Sequence, residues 1–193
     1  MINVSKNEEK TSCPLCENNR LQTVSKFDRK GKNLKTDICL LCGHIFSNPP
    51  PTQEELDLFY SKNYRNNYKG ILSPKKKHIL RSGIRAIERY KILKKFLSDQ
   101  KKILDIGSGS GEFLFLLKEK GHQVKGIEPN QGYAEFSKKE YDLNISIEKI
   151  ENNISINKTW DIICLHHVLE HLSNPIQSLI IISKLLSSEG VLN

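Results

Sequence analysis

The chain has 193 residues, a formal net charge of +8, 37% hydrophobic side chains and 27% charged ones. That length can bury the core of one domain plus a small module, and the composition is that of an ordinary soluble globular protein. The longest apolar run, at Leu179-Ile180-Ile181-Ile182, is far too short to span a bilayer, so no transmembrane segment is expected. The first residues, MINVSKNEEKTS, lack the apolar stretch of a signal peptide, which makes the cytoplasm the expected compartment. Five cysteines in that compartment argue for metal binding and against a disulfide framework.

In chain order, residues 1–12 are polar and expected to form a disordered tail. Residues 13–47 contain two Cys-x2-Cys pairs and read as a small module. Asn48-Pro49-Pro50-Pro51 then interrupts regular structure, because consecutive prolines donate no backbone hydrogen bonds. It opens a helical connector over 48–98. Thr52 is predicted to cap a short helix carrying Glu54, Glu55, Leu56, Leu58 and Phe59, with acids in its first turn.

A longer helix is predicted from about 76 to 97. Leu80, Ile84, Ile87, Tyr90, Leu93 and Leu97 recur at three- and four-residue steps with Phe96 beside them, a stripe expected to dock on a sheet. Gly83 weakens this helix by ~1 kcal/mol relative to alanine. The charge excess lies here: residues 51–98 carry 12 basic and 4 acidic side chains, whereas 99–193 carry 10 and 13. Lys75-Lys76-Lys77 with Arg81, Arg85 and Arg89 fits either a solvated helix face or attraction to RNA, a nucleotide-sugar or a membrane surface. No aromatic stacking motif accompanies the charge.

From residue 101 short strands alternate with helices. Lys102-Ile103-Leu104-Asp105-Ile106 reads as a buried strand, followed by a glycine loop and a helix over 112–120 stopped by Gly121. Further strands are predicted at Val124–Glu128, Asn144–Glu148 and Trp160–Leu165. Helices are predicted from Gln131 to Tyr141 and from Pro175 to about 187. The pattern predicts an α/β fold, a Rossmann-like parallel sheet with right-handed crossovers over 99–193.

A tetrahedral zinc needs four converging soft ligands, and Cys13, Cys16, Cys39 and Cys42 supply them from two knuckles separated by 22 residues. Gly43 suits the left-handed turn such knuckles use. Four thiolates leave no open position for water, so the expected role is structural. An iron–sulfur site or unligated thiols are the alternatives. Cys164, inside a predicted strand, reads as a small buried hydrophobe.

The loop Gly107-Ser108-Gly109-Ser110-Gly111 lets the backbone turn sharply and approach a ligand. Dinucleotide-binding folds use a related loop. Here Asp105 lies two residues before the first glycine, Glu112 replaces the third dinucleotide-site glycine, and Glu128 ends the next strand, where a carboxylate can accept both ribose hydroxyls.

On these residues the chain resembles the class I S-adenosylmethionine-dependent methyltransferases. Leu104 to Leu114 resembles their first motif, and Gly126-Ile127-Glu128-Pro129 the acidic segment after it. Trp160-Asp161-Ile162-Ile163 with Leu165-His166-His167-Val168-Leu169-Glu170-His171-Leu172 resembles their fourth-strand region. The two Cys-x2-Cys pairs, Asn48-Pro49-Pro50-Pro51 and the segment from Glu55 to Tyr68 further resemble a zinc-module subgroup that includes sugar C-methyltransferases. The resemblance implies that Asp105, Gly107, Ser108, Gly109 and Gly111 cradle S-adenosylmethionine. It places Glu128 on the ribose, Pro129 and Ile150 by the adenine, and Leu165 and His166 facing the sulfonium.

It also implies that the chain is either a fragment or an interrupted gene product. Gly190-Val191-Leu192-Asn193 falls where the fifth strand has barely begun, so the α/β domain is expected to be truncated, incompletely folded on its own and weakly active. Candidate acid–base residues are His167, Glu170 and His171, at the sheet edge where α/β ligands bind. Glu170 and His171 read equally as residues that brace the cofactor loop. The leading reading is methylation of a small-molecule acceptor, a sugar or nucleotide-sugar of surface polysaccharide synthesis. Alternatives are an RNA methyltransferase, disfavoured because its second knuckle would resemble Cys-x3-His, and an inactive cofactor-binding remnant.

Overall fold

The computed structural model describes residues 8–52, 55, 73–150, 159–172 and 174–193. The chain divides into two compact units, Met1–Asn67 and Tyr68–Asn193.

In the first unit, β1 (Leu21–Phe27), β2 (Asn33–Cys39) and β3 (Ile45–Ser47) form an antiparallel sheet in that order. The β1–β2 turn closes on Asp28, whose carboxylate accepts the Lys30 and Lys32 amides at 2.8 and 2.9 Å. A buried polar network ties this sheet to its flanks. Asp37 accepts Thr23 Oγ1 at 2.8 Å and Asn48 Nδ2 at 2.6 Å, and Lys35 Nζ lies 3.6 Å away. Asn48 in turn bonds both the N–H and the C=O of Lys10. Part of the expected disordered tail is thus pinned to the sheet at Lys10; residues 1–7 lie outside the described residues.

Burial opposes ionisation of Asp37, but Asn48, Thr23 and Lys35 outweigh it and hold its pKa below the ordinary aspartate value. Asp37→Ala leaves Asn48 and Thr23 short of an acceptor and is expected to cost about 2 kcal/mol. Because the folded-state pKa is depressed, Asp37 contributes stability above the ordinary aspartate pKa, and that stability is lost as pH falls through the depressed value. Denaturant melts of parent and variant across pH check this; a gap that stays constant into strong acid would contradict it.

Thr52 and Glu55 form the expected cap: the Glu55 N–H donates to Thr52 Oγ1 at 3.0 Å, and the Thr52 N–H to Glu55 Oε2 at 2.8 Å. The body of the short helix and most of the segment to Tyr68 lie outside the described residues.

In the second unit, α1 (Lys76–Leu93) runs into a 3₁₀ turn at Lys94–Phe96. Then come β4 (Lys102–Ile106), α2 (Glu112–Glu119), β5 (Gln123–Ile127), α3 (Gln131–Tyr141), β6 (Ile145–Ser146), β7 (Trp160–Cys164), α4 (Pro175–Leu185) and β8 (Leu186–Leu192). The five strands lie in the order β6-β5-β4-β7-β8, all pairings parallel. This is a Rossmann-like α/β sheet. The last helix ends two residues earlier than the sequence pattern suggests, and the fifth strand begins at Leu186, pairing with Trp160.

The side-chain alternation of β4 divides the core. Ile103 packs with Ala86, Leu93, Phe113, Leu117, Ile162 and Cys164 on one face. Leu104 and Ile106 pack with Ile127, Ile163, Trp160, Ile182 and Leu185 on the other. Both faces are covered, which is why β4 and β7 read as near-continuous apolar runs. Asn130 and Asn174 start α3 and α4 by accepting the Tyr133 and Gln177 amides, each at 3.0 Å.

One expected face is corrected. α1 does dock, but through Ala86, Tyr90 and Leu93, while Leu80, Ile84 and Ile87 remain 68%, 54% and 52% exposed. The small Ala86, 2% exposed, lies where the helix meets Ile103, Phe113, Leu117 and Ile162, and a rule that turns the largest aliphatics inward misses it.

Candidate functional site

The carboxyl ends of β4, β5 and β7 converge on the glycine loop. Gly107, Gly109 and Gly111 all adopt positive φ (72°, 56° and 89°), so the loop needs glycine for its backbone path. The loop is anchored to β5: the Gly107 and Ser108 amides both donate to the Ile127 carbonyl, at 2.8 and 3.1 Å. A methyl group on Gly107 would sit 2.4 Å from Val168 Cγ2, so the loop packs directly under the segment after β7. Nothing lies within 4 Å of a Cβ built on Gly109, which leaves open space at the crest of the loop.

Glu128, 7% exposed, is held by both oxygens. Oε2 accepts the Gly109 amide and Oε1 the Asn130 amide, each at 2.8 Å. Burial pushes its pKa up, the two amides oppose that, and nearby Asp105 adds to the rise. A carboxylate has about four lone-pair directions, so each oxygen keeps capacity for a further donor. Pro129 follows Glu128 directly and leads into the Asn130 cap of α3.

Ser137, fully buried on α3, donates within range of the Gly109 carbonyl (3.2 Å) and of Tyr133 O (2.9 Å), bracing the loop from the helix side. Ser110 Oγ donates to Glu112 Oε2 at 2.7 Å, and burial raises the Glu112 pKa. Sequence reasoning passed over Asn130 and Ser137. The cap signal at Asn130 was readable before an apolar-periodic helix; Ser137 carried no signal, because its role depends on α3 crossing the loop.

Asp105 and Cys164 are register partners on neighbouring strands, and His166 follows two residues later on the same side. Their ligand atoms lie within 4.8 Å of one another. His166 Nδ1 is 4.0 Å from Asp105 Oδ1 and has no hydrogen-bond partner among the described residues; Nε2 is 3.3 Å from Asn193 Nδ2. The ring packs edge-on against Phe113 at 5.5 Å. Burial pushes the Cys164 thiol pKa well up, which keeps it a neutral thiol, in line with a packing role.

Leu165 donates its N–H to the Asn193 carbonyl at 2.8 Å. His167, at φ 57°, starts the turn after β7 and pairs with Glu170 at 3.5 Å; both are exposed. Glu170 and His171 lie in a 3₁₀ turn, Leu169–His171, where an α-helical face had been considered. Ile150, assigned by resemblance to the adenine side, is 2% exposed and packs in the core with Ile127 and Trp160.

In the first unit the four cysteine sulfurs lie within 4.8 Å of one another, with Cys13–Cys42 and Cys16–Cys39 at 3.6 Å. A tetrahedron with Zn–S bonds of about 2.3 Å has S···S edges of about 3.8 Å, so the cluster has zinc dimensions. The Cys42 and Leu41 amides bring the Cys39 pKa down to about 7. Against the Asn18 amide, desolvation and the neighbouring thiols raise Cys16 to about 12.

A methyltransferase-domain family model matches residues 78–192. The chain belongs to that methyltransferase-domain family. Among solved structures, the methyltransferase unit is similar to the plantazolicin methyltransferase BamL in complex with a triazolic desmethylPZN analog and SAH. That match has 21% identity and a TM-score of 0.57, covering 71% of this chain and 53% of that one. It is also similar to coclaurine N-methyltransferase bound to N-methylheliamine and SAH (22% identity, TM-score 0.50, covering 57% and 34%). A third match is the PH0226 protein from Pyrococcus horikoshii OT3 (20% identity, TM-score 0.50, covering 67% and 63%). At these identities the likeness establishes the fold. The chain spans about half the length, 50–53%, of the plantazolicin methyltransferases it matches. No curated protein matches it.

Among the described residues no helix is long and apolar enough to cross a membrane.

Proposed function

We propose that this methyltransferase-domain protein binds S-adenosylmethionine at the glycine loop and methylates a small-molecule acceptor, with a sugar or nucleotide-sugar as the favoured class. The observation that carries the reading is Glu128, buried at the end of β5 and oriented by the Gly109 and Asn130 amides. A buried carboxylate with spare acceptor capacity beside an open glycine crest fits a ribose diol. SAH in the complexes of two fold neighbours supports the same cofactor class.

S-adenosylmethionine, when bound, supplies an electrophilic methyl group on a sulfonium. The chain's own contribution is positional: Gly107 to Gly111 and Asp105 shape the cradle, Glu128 orients, and Pro129 borders the site. Leu165 and His166 stand at the end of β7, opposite the loop. His167 with Glu170 forms an exposed imidazole–carboxylate pair that can serve as the base for an acceptor proton, and the His171 N–H closes the turn by donating to Val168 O. The four cysteines hold a structural zinc in the first unit.

Glu128→Ala is expected to weaken SAH binding by about 2–3 kcal/mol in calorimetry. Because burial raises the Glu128 pKa, affinity is expected to fall, on acidification, at a higher pH than an ordinary glutamate would give. Equal affinity of parent and variant would remove Glu128 from the site. RNA as acceptor would show itself in filter binding as a steep decline with salt.

A further inference from the structure

We propose that the outward face of α1 docks on an anionic lipid surface. This inference stands apart from methyl transfer and concerns a surface that the cofactor site does not use.

Leu80, Ile84 and Ile87 follow one another at steps of four and three, so they form a single stripe along the helix. Each is more than half exposed, as is Ile92 at 64%. The opposite side is fixed in the core through Ala86 and Leu93. The stripe is therefore presented by an anchored helix.

The rim around the stripe decides the partner. Lys76, Lys77, Arg81 and Lys91 are all exposed, and Lys91 continues the line of Ile87 one turn on. Residues 76–96 carry eight lysines and arginines against one acid, Glu88. An aliphatic stripe bordered by long cationic side chains matches the boundary between anionic headgroups and acyl chains. There the aliphatic tips enter the hydrocarbon edge while lysine stems reach back to the headgroups. A second copy is a poor occupant, since two-fold pairing would set lysines against lysines. RNA would use the charge but not the aliphatic stripe, and the helix's one aromatic residue, Tyr90, is turned to the core.

The experiment is co-sedimentation of the 193-residue chain with vesicles of equal parts phosphatidylglycerol and phosphatidylcholine, and with phosphatidylcholine alone. The chain is expected to sediment with the anionic vesicles only. Leu80→Gln/Ile84→Gln/Ile87→Gln is expected to lower the partition coefficient at least about tenfold without lowering the melting temperature. Ile176→Gln/Ile180→Gln on α4 is expected to leave it unchanged. Lys76→Glu/Lys77→Glu, at exposed positions, is expected to lower binding to anionic vesicles and gives a second test independent of the apolar variant's folding. No binding to anionic vesicles would overturn the proposal. So would undiminished binding by the triple glutamine variant, and if that variant also bound RNA with a steep salt dependence, the face would belong to nucleic acid.

Discussion

Cys39→Ser is expected to release the zinc and unfold the first unit. Among the described residues of that unit, Cys13 and Cys39 are the buried apolar side chains, while Val24, Phe27, Leu34, Leu40, Leu41 and Ile45 are exposed. Three short strands and the Asp37–Asn48 network do not amount to a core that can offset the ordering of some forty residues. The proposed zinc would supply the difference, on the order of 10 kcal/mol for a structural site. Cys39 is the informative position because it is buried and the Cys42 and Leu41 amides favour its thiolate. Metal analysis should fall from about one equivalent to well below half, and amide exchange across β1 to β3 should lose protection, with the α/β unit unaffected. A serine variant that kept stoichiometric zinc and the same protection would remove the metal from the account of this unit. Parent zinc affinity should also fall as pH falls, because protons compete for the four sulfurs.

Gly111→Ala is expected to be a strongly damaging single-methyl change in the cofactor loop. At φ 89° the added Cβ meets Leu143 Cδ1 and Ser137 Oγ, each at 2.8 Å, and Ser137 Cβ at 3.0 Å. Left-handed strain of ~1–2 kcal/mol adds to overpacking of ~1–3 kcal/mol, giving about 3 kcal/mol of lost stability. Ser137 also braces the Gly109 carbonyl, so displacing it should loosen the loop crest and weaken SAH binding. Gly109→Ala is the control: it is left-handed too, but nothing lies within 4 Å of its Cβ, so only the strain remains. Denaturant unfolding of the two variants separates the terms; equal losses would mean that contact with α3 and Leu143 contributes nothing.

Local chemistry explains what could be read before any coordinates. The strand–loop–helix from Lys102 to Glu119, the α3 boundaries and the cysteine knuckles are all set by short-range rules: periodicity, glycine at left-handed positions, ligand spacing. Glu128 was legible for the same reason, since a strand-ending acid beside a glycine loop has few other tasks. The turn after β7 was less legible. His167 precedes the 3₁₀ turn that holds Glu170 and His171, and the form of this segment depends on Val168 packing over Gly107, a contact across 61 positions of chain. Ile150 shows the same limit, since its burial is decided by β5, β7 and α4 meeting around it.

By itself, then, the sequence determined the α/β pattern, the glycine loop with its acid, and the four-cysteine cluster, because each depends on residues a few positions apart or on chemistry only those residue types can do. The tertiary structure alone decided which side of α1 is buried, that Ser137 and Asn130 support the loop, and that Asp105, Cys164 and His166 converge at one sheet edge. Those outcomes follow from strand order and helix approach, where the side carrying Ala86 and Leu93 is buried in preference to a wider stripe of leucine and isoleucine.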